Sequence, residues 1–138
     1  SRPLLVEIQA LTVYSELNIP RRVGQGISKS KLQLICAVLT KHLNLKLGQK
    51  DVFVNVTGGL NLSDPAADLA IALAILSSYK DKPLPPNSLS IGELGLLGEI
   101  RPVPYFDKRL KEAKTLGYKQ TLHHQDFSTL KKLSSELF

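Results

Sequence analysis

Two carboxylates four residues apart, Asp64 and Asp68, are residues whose type and spacing could carry chemistry. On a helix this spacing places both side chains on one side, where paired acids could act as general acid and base. Pro65 lies between them, and an uninterrupted apolar run, 69–76, follows. Proline suits the first turn of a helix, and acids there complement the helix dipole. We therefore interpret Ser63 or Asp64 as an N-cap and Asp68 as a first-turn acid.

The other reactive side chains do not form a motif. Cys36 lies in the apolar segment 34–39 without a flanking positive group, which predicts a buried structural thiol. His123 and His124 are neighbours in a predicted strand, so they should point to opposite faces as surface or rim histidines. The sequence lacks a phosphate-binding GxxxxGK[ST] loop, an HExxH pair, paired CxxC motifs and a calcium loop. We therefore expect no cofactor and no metal in this chain.

Positive charge is concentrated in the first third of the chain. The net charge is +6, and residues 1–50 carry eight Lys and Arg against Glu7 and Glu16, whereas residues 51–138 are balanced. This asymmetry is expected of a surface that binds a polyanion. A solvated basic surface without a ligand fits the charge alone equally well.

Length and composition predict one soluble globular domain spanning 1–138, with a true hydrophobic core. No apolar run approaches the roughly 20 residues needed to span a bilayer, and no signal peptide opens the chain. A single cysteine excludes an intrachain disulfide and favours a reducing, cytoplasmic location.

Strands and helices are predicted to interleave, which favours an α/β class, a sandwich of mixed strands and helices. Alternating apolar residues and turn signals predict strands at 4–13, 51–57, 89–91, 99–103 and 120–124, and a turn followed by a glycine-interrupted strand within 18–27. Helical spacing predicts a helix from an N-cap at Ser28 or Ser30 to about Leu43, helices at 66–79 and 106–116, and a last one from 126.

Five motifs in order carry a family resemblance. They are segments 1–11, 20–22, 51–59, 64–70 and 92–103, which include Pro20-Arg21-Arg22, Gly58-Gly59 and Gly92-Glu93. Together they resemble the C-terminal domain of the bacterial RadA (Sms) family, and the resemblance covers essentially the whole chain. That domain is similar in turn to the proteolytic domain of Lon, so the resemblance implies a Lon-like fold.

The Lon resemblance implies a degenerate catalytic dyad. Lon places its serine nucleophile in the turn that corresponds to Pro65-Ala66-Ala67-Asp68, so Ala66 occupies the serine position. Counting from Gly92-Glu93, the position of the general-base lysine falls on Arg109. A methyl group cannot attack a carbonyl, and arginine keeps its proton at any usable pH. The chain should therefore have no peptidase activity of its own.

The RadA resemblance implies a scaffold role in DNA recombination and repair. Zinc-ribbon and ATPase parts would precede this domain, so ATP, Mg and Zn would belong to those parts. The domain would help to build a hexameric ring on single-stranded or branched DNA. It would act with RecA during branch migration, and no membrane partner is expected. Arg21, Arg22, Lys29 and Lys31 are the predicted DNA-binding residues, because they follow one another along strand, turn and helix start.

Alternatives remain for these residues and for the family. Arg21 and Arg22 could instead pair with acids of a neighbouring subunit. Arg101 and Arg109 could pair with Asp68, Glu93 or Glu99 in the relic site. Two rival identities are the related domain of magnesium-chelatase-like ComM proteins, which shares the buried helix and the later hairpin, and an active Lon-like serine peptidase.

Overall fold

A computed structural model describes residues 5–138 of the chain. Its strands are β1 Ile8–Tyr14, β2 Arg22–Gln25, β3 Lys50–Val56, β4 Ser88–Ser90, β5 Glu93–Leu94, β6 Ile100–Arg101 and β7 Gln120–Leu122. Its helices are α1 Lys29–Leu43, α2 Asp68–Lys80, α3 Phe106–Thr115 and α4 Leu130–Leu137, with short 3-10 turns at Leu47–Gln49, Thr57–Gly59 and Pro65–Ala67. The predicted α/β class is confirmed.

The largest sheet has three strands in the order β1-β3-β2. The central strand β3 pairs antiparallel with β1 and parallel with β2. Val52, Val54 and Val56 are buried because alternate residues of a strand face the same side, and that side faces the core. The prediction of a central strand here is confirmed, while the part of the first strand prediction before residue 5 lies outside the described residues.

Helices α1 and α2 pack against the inner face of this sheet and against each other. The Ser28 side chain caps α1 by accepting from the Lys31 N–H, as expected of a serine at that position. Helix α2 buries residues on most of its circumference, including Leu69, Ile71, Leu73 and Leu76. The almost uninterrupted apolar run predicted this central placement.

The starts of two helices differ from the sequence prediction by two residues or more, most strands are shorter than predicted, and the short strand β5 was not predicted. The helix predicted from residue 66 begins with the 3-10 turn and becomes α-helical at Asp68. The last helix begins at Leu130 rather than at 126, because the Thr129 side chain accepts from the Lys132 N–H and so caps it there. Its predicted apolar stripe is confirmed, with Leu130 and Leu133 buried.

The second half of the chain forms two small sheets and a second apolar cluster. β4 pairs parallel with β7, and β5 pairs antiparallel with β6. Ala66, Ile91, Val103 and Phe106 form the cluster that attaches α3 to the start of α2. These contacts bring residues 64–66 next to the first turn of α3.

The prediction of surface or rim histidines on opposite faces was wrong for His123, which is buried, whereas His124 is half-buried. β7 ends at Leu122, so strand alternation does not apply to His123 and His124. Both rings contact Phe106 edge-on, with centroids at 5.0 and 4.6 Å. His123 is only 5% exposed, and this burial lowers the pKa of its imidazole.

Cys36 is buried in the core, as predicted, and burial raises the pKa of its thiol. Across residues 5–138, no group of His, Cys, Asp and Glu could hold a metal ion. No helix in the same range is long and apolar enough to cross a bilayer.

Candidate functional site

Asp64 connects Ala66 and Arg109, the two positions that the Lon resemblance assigns to a dyad. Its Oδ1 accepts from the Ala66 N–H at 3.0 Å, and its Oδ2 accepts from Arg109 Nη1 at 2.9 Å. The capping role of Asp64 is thereby confirmed. Arg109 Nε also donates to the Pro104 carbonyl at 3.0 Å. The tertiary fold therefore brings the Ala66 N–H and the Arg109 guanidinium to the same carboxylate, although Asp64 and Arg109 are 45 residues apart in the sequence.

Arg109 forms an ion pair, as the structural alternative proposed, but its partner is not one of the three acids considered, Asp68, Glu93 and Glu99. Its partner is Asp64, which reaches the guanidinium from the turn before α2. Side chains on a helix lean toward its N-terminus, and this direction takes Arg109 back toward Pro104 and Asp64. The guanidinium donates to acceptors on two sides, and it offers no lone pair that could accept a proton.

Asp68 is a buried acid with a different cation as its partner. Asp68 is 3% exposed. Lys31 Nζ lies 3.0 Å from its Oδ1, and the Leu94 N–H donates to its Oδ2 at 3.2 Å. Burial raises the pKa of Asp68, and the Lys31 ammonium opposes that rise. Lys31 thus ties the start of α1 to the start of α2.

A groove of about 590 Å³ opens beside these residues. Ala70 and Ala74 of α2 line it at a spacing of four, so their methyl groups share one side of that helix, and Ala66 lines it from the preceding 3-10 turn. Arg109 also contributes to the lining. The Ala66 methyl has no atom that could act as a nucleophile.

Arg21 is anchored to the first acid of β3. Its backbone N–H donates to Asp51 Oδ1 at 2.6 Å, and Nη2 donates to Oδ2 at 2.9 Å. The backbone hydrogen bond makes the largest contribution and the side-chain hydrogen bonds add to it. Together they lower the pKa of Asp51 to about 2. Sequence reasoning missed this acid. Its signal was a carboxylate at the start of an otherwise apolar strand, where a buried charge needs a partner.

The remaining predicted DNA-binding residues differ in their surroundings. Arg22 donates from Nη1 to the Lys50 carbonyl at 2.6 Å and from Nη2 to the Leu47 carbonyl at 2.8 Å. Lys29 is exposed on the first turn of α1. The structure therefore gives Arg21, Arg22 and Lys31 partners within the chain. The Arg21 side chain remains 58% exposed despite its ion pair.

The class of protein follows from a comparison with family models. The model described as subunit ChlI of Mg-chelatase matches residues 6–126, which spans the large sheet, the groove and the Asp64–Arg109 pair. The chain therefore belongs to this family.

Curated relatives narrow the resemblance. The chain is 49% identical over 122 residues to the DNA repair protein RadA of Haemophilus influenzae, covering 88% of this chain and 27% of that protein. It is 47% identical to DNA repair protein RadA of Escherichia coli over 88% of this chain and 26% of that protein. It is 48% identical to DNA repair protein RadA of Aquifex aeolicus over 88% of this chain and 28% of that protein. The chain thus spans about a quarter of these relatives, and the predicted RadA resemblance is confirmed.

Proposed function

We propose that this chain is a non-proteolytic scaffold domain of a RadA-type DNA repair ATPase. Its similarity to proteins named DNA repair protein RadA carries the proposal. The domain supports a hexameric ring and contacts DNA without sequence preference during branch migration, in association with RecA. The ATP, Mg and Zn of such a protein belong to parts outside this chain.

The residues at the relic dyad support a role without peptide hydrolysis. Ala66 has no nucleophilic atom, and Arg109 stays protonated in its ion pair with Asp64. The Asp64 side chain holds the Ala66 N–H and the Arg109 guanidinium at one carboxylate, which suits a structural rather than a hydrolytic role for these residues.

We expect no cleavage when this chain is incubated with unfolded casein and the products are resolved by mass spectrometry. We expect the Ala66→Ser variant to be equally inactive, because a serine hydroxyl still has no base to accept its proton. Cleavage by the natural chain that disappears in Ser63→Ala or Lys108→Ala variants would contradict the proposal and support the peptidase alternative.

DNA contact is best supported at the exposed cations of the first third. Lys29 is exposed, and the Arg21 side chain keeps 58% of its surface accessible. Arg22 donates to backbone carbonyls, and Lys31 pairs with Asp68. Both residues therefore position the segment 21–31, and both add to its positive electrostatic potential. Flexible cations at a surface suit phosphate contacts, which carry no sequence information.

We expect Lys29→Glu to weaken binding of a fluorescent single-stranded oligonucleotide. The slope of log affinity against log salt should fall by about one, because one phosphate contact is removed. The matched control is Lys131→Glu, which makes the same charge change on exposed α4 and should leave the slope unchanged. Equal losses in both variants would assign the effect to net charge and contradict a local DNA face.

Ring assembly is supported by the outward face of the large sheet. Leu11 pairs in register with Phe53, which pairs in turn with Val23, so these side chains form a row across three strands. Leu11 is 55% exposed and Val23 is 40% exposed, and Val13 adds to the same face. Adjacent apolar side chains left in water on a sheet are typical of a protein contact.

We expect Leu11→Glu/Val23→Glu to lower the molar mass measured by light scattering from an oligomer to a monomer. Both side chains are solvent-exposed in the single chain, so the fold should survive and its circular dichroism should not change. The control is Leu96→Glu/Leu97→Glu, which charges another exposed apolar pair and should retain the oligomer. A monomeric natural chain, or an oligomer that survives the first variant, would contradict this assignment.

A second candidate is the related domain of a magnesium-chelatase-like ComM protein. The description of the matching family model favours it. The position of the ATPase in the full-length protein discriminates between them: before this domain it supports the RadA type, and after it the ComM type.

A further inference from the structure

The inner face of the large sheet ends in an exposed tyrosine. In the β1–β3 register, Thr12 is opposite Val52, and Tyr14 is opposite Lys50. Alternate residues of a strand share one side, so Tyr14 and Lys50 continue a row that begins in the core. Thr12 and Val52 are buried, whereas Tyr14 is 75% exposed. The tyrosine therefore leaves the core at the edge of the sheet, on the side opposite to Leu11.

One face of the Tyr14 ring is held by a cation. The Lys50 Nζ lies 4.4 Å from the centroid of the Tyr14 ring and 5.0 Å from that of Tyr79, near the end of α2. An ammonium at this distance is attracted by the face of an aromatic ring, and the attraction favours one orientation of the ring. In the described part of the chain, no carboxylate forms an ion pair with Lys50. Since most of Tyr14 is exposed, the second face of its ring stays open to solvent.

Further cations lie beside this ring. Lys46 is exposed, and its backbone N–H donates to the Tyr79 hydroxyl at 3.1 Å. On the other side, Arg22 Nη1 donates to the Lys50 carbonyl at 2.6 Å. The tyrosine is therefore continuous with the positive segment 21–31, which we propose to contact DNA.

Acids compensate this charge only in part. Asp51, which follows Lys50 in β3, is buried and already paired with Arg21. Glu16 is exposed two residues after the tyrosine, and Lys46 is exposed near the end of the same sheet. The surroundings of the ring thus keep an excess of positive charge.

An aromatic ring beside cations favours a nucleobase over an apolar protein surface. Lysine is depleted from the cores of protein interfaces, whereas Tyr14 has a lysine against one face of its ring. A ring with one open face and cations around it is the arrangement that holds single-stranded nucleic acid. Its bases stack on the ring, and its phosphates contact the cations.

We propose that Tyr14 stacks on an unpaired base of single-stranded DNA. Lys50 supports the opposite face of the ring, and Lys46 contacts a neighbouring phosphate. This inference rests on the proposed DNA contact and assigns it a preferred substrate, the single strand. Bases of a duplex already stack on one another, whereas every unpaired base offers a free face, so binding stays independent of sequence.

Two labelled oligonucleotides separate base stacking from phosphate contact. One is an oligothymidylate of about 12 nucleotides, and the other has the same backbone but lacks its bases. In anisotropy titrations the natural chain should bind the oligothymidylate at least about fivefold more tightly. Tyr14→Ala should remove this preference without lowering the slope of log affinity against log salt, because no cation is removed. Tyr14→Phe should keep the preference.

The matched control is Tyr105→Ala, which removes a tyrosine that is 77% exposed at the N-cap of α3. This variant should bind both oligonucleotides as the natural chain does, because it lacks neither the ring nor the cations of the proposed site.

Fluorescence provides an independent measurement. The chain contains no tryptophan, so Tyr14→Trp introduces a single indole. Stacking should quench its emission when the oligothymidylate binds but not when the abasic oligonucleotide binds. Tyr105→Trp should be quenched by neither.

Failure of this inference is distinguishable from failure of the proposed DNA contact. Equal affinity of the natural chain for the two oligonucleotides would overturn stacking and leave the phosphate contact in place. A preference that survives in Tyr14→Ala, or a Tyr14→Trp emission that the oligothymidylate does not quench, would do the same. No saturable binding of either oligonucleotide would contradict both proposals. Circular dichroism checks the folds, and the quenching of Tyr14→Trp decides if Tyr14→Ala unfolds.

Discussion

Gly26→Ala is expected to reduce the free energy of unfolding by about 3 kcal/mol or more. Gly26 has φ of 84°, a conformation that costs an L-residue energy because of its Cβ. An added Cβ would also overlap the Leu60 carbonyl oxygen and lie 2.9 Å from the Val56 Cβ. Neither neighbour can move away cheaply, because one is backbone and the other belongs to the central strand.

Urea denaturation followed by circular dichroism measures this loss. The matched control is Gly48→Ala, since a Cβ at that position meets nothing within 4 Å. We expect the control to change stability by less than about 1 kcal/mol. If both variants lost the same amount, glycine flexibility in general, rather than the close approach at Gly26, would be responsible.

Lys31→Met is expected to cost about 2–3 kcal/mol of unfolding free energy at pH 7. It keeps an aliphatic side chain but leaves the Asp68 carboxylate buried without its cation. The full loss typical of a broken buried pair is reduced here, because the Lys31 side chain is 31% exposed. The α1–α2 junction would then hold an uncompensated charge.

The Lys31→Met loss should shrink as the pH falls from 7 toward about 4. Burial already raises the pKa of Asp68, and removing Lys31 removes a contribution that lowers it. The folded variant therefore holds a proton on Asp68 at pH values where the unfolded chain has released it. Wherever the folded state binds more protons, stability rises as the pH falls. Urea titrations of both proteins between pH 4 and 7 measure the narrowing.

The double variant Lys31→Met/Asp68→Asn distinguishes charge from packing. Asparagine is neutral and its side-chain oxygen can still accept from the Leu94 N–H, so we expect it to recover much of the loss. The result could instead be a difference in unfolding free energy between the natural chain and Lys31→Met that does not change with pH, and a double variant that regains no stability. That result would assign the effect to lost packing.

Local patterns made several parts of this protein predictable. Alternation identified Val52, Val54 and Val56 as the inner face of a central strand, and helical spacing identified the α2 core and the α4 stripe. The caps at Ser28 and Asp64 were also predictable, since a cap involves residues only two or three positions apart. The assignment of Ala66 to a nucleophile position came from the family resemblance and stays a prediction.

Pairings between distant residues were beyond such patterns. Sequence placed Lys31 and Arg109 correctly on helices, whereas Arg21 lies one residue before β2. It did not assign Arg21, Lys31 and Arg109 to Asp51, Asp68 and Asp64. The sequence also predicted an exposed or rim position for His123, whereas this residue is buried. Each of these outcomes depends on which elements become neighbours.

The sequence by itself therefore determined most of the elements, the core-facing residues and the family resemblance. Only the tertiary structure decided which acids pair with Arg21, Lys31 and Arg109, and that alanines of α2 line a groove together with Arg109. The reason is geometric: periods of 2 and 3.6 residues repeat along the chain and can be read from it. Contacts across 30 or 45 residues depend on strand order and on helix packing, which no local period encodes.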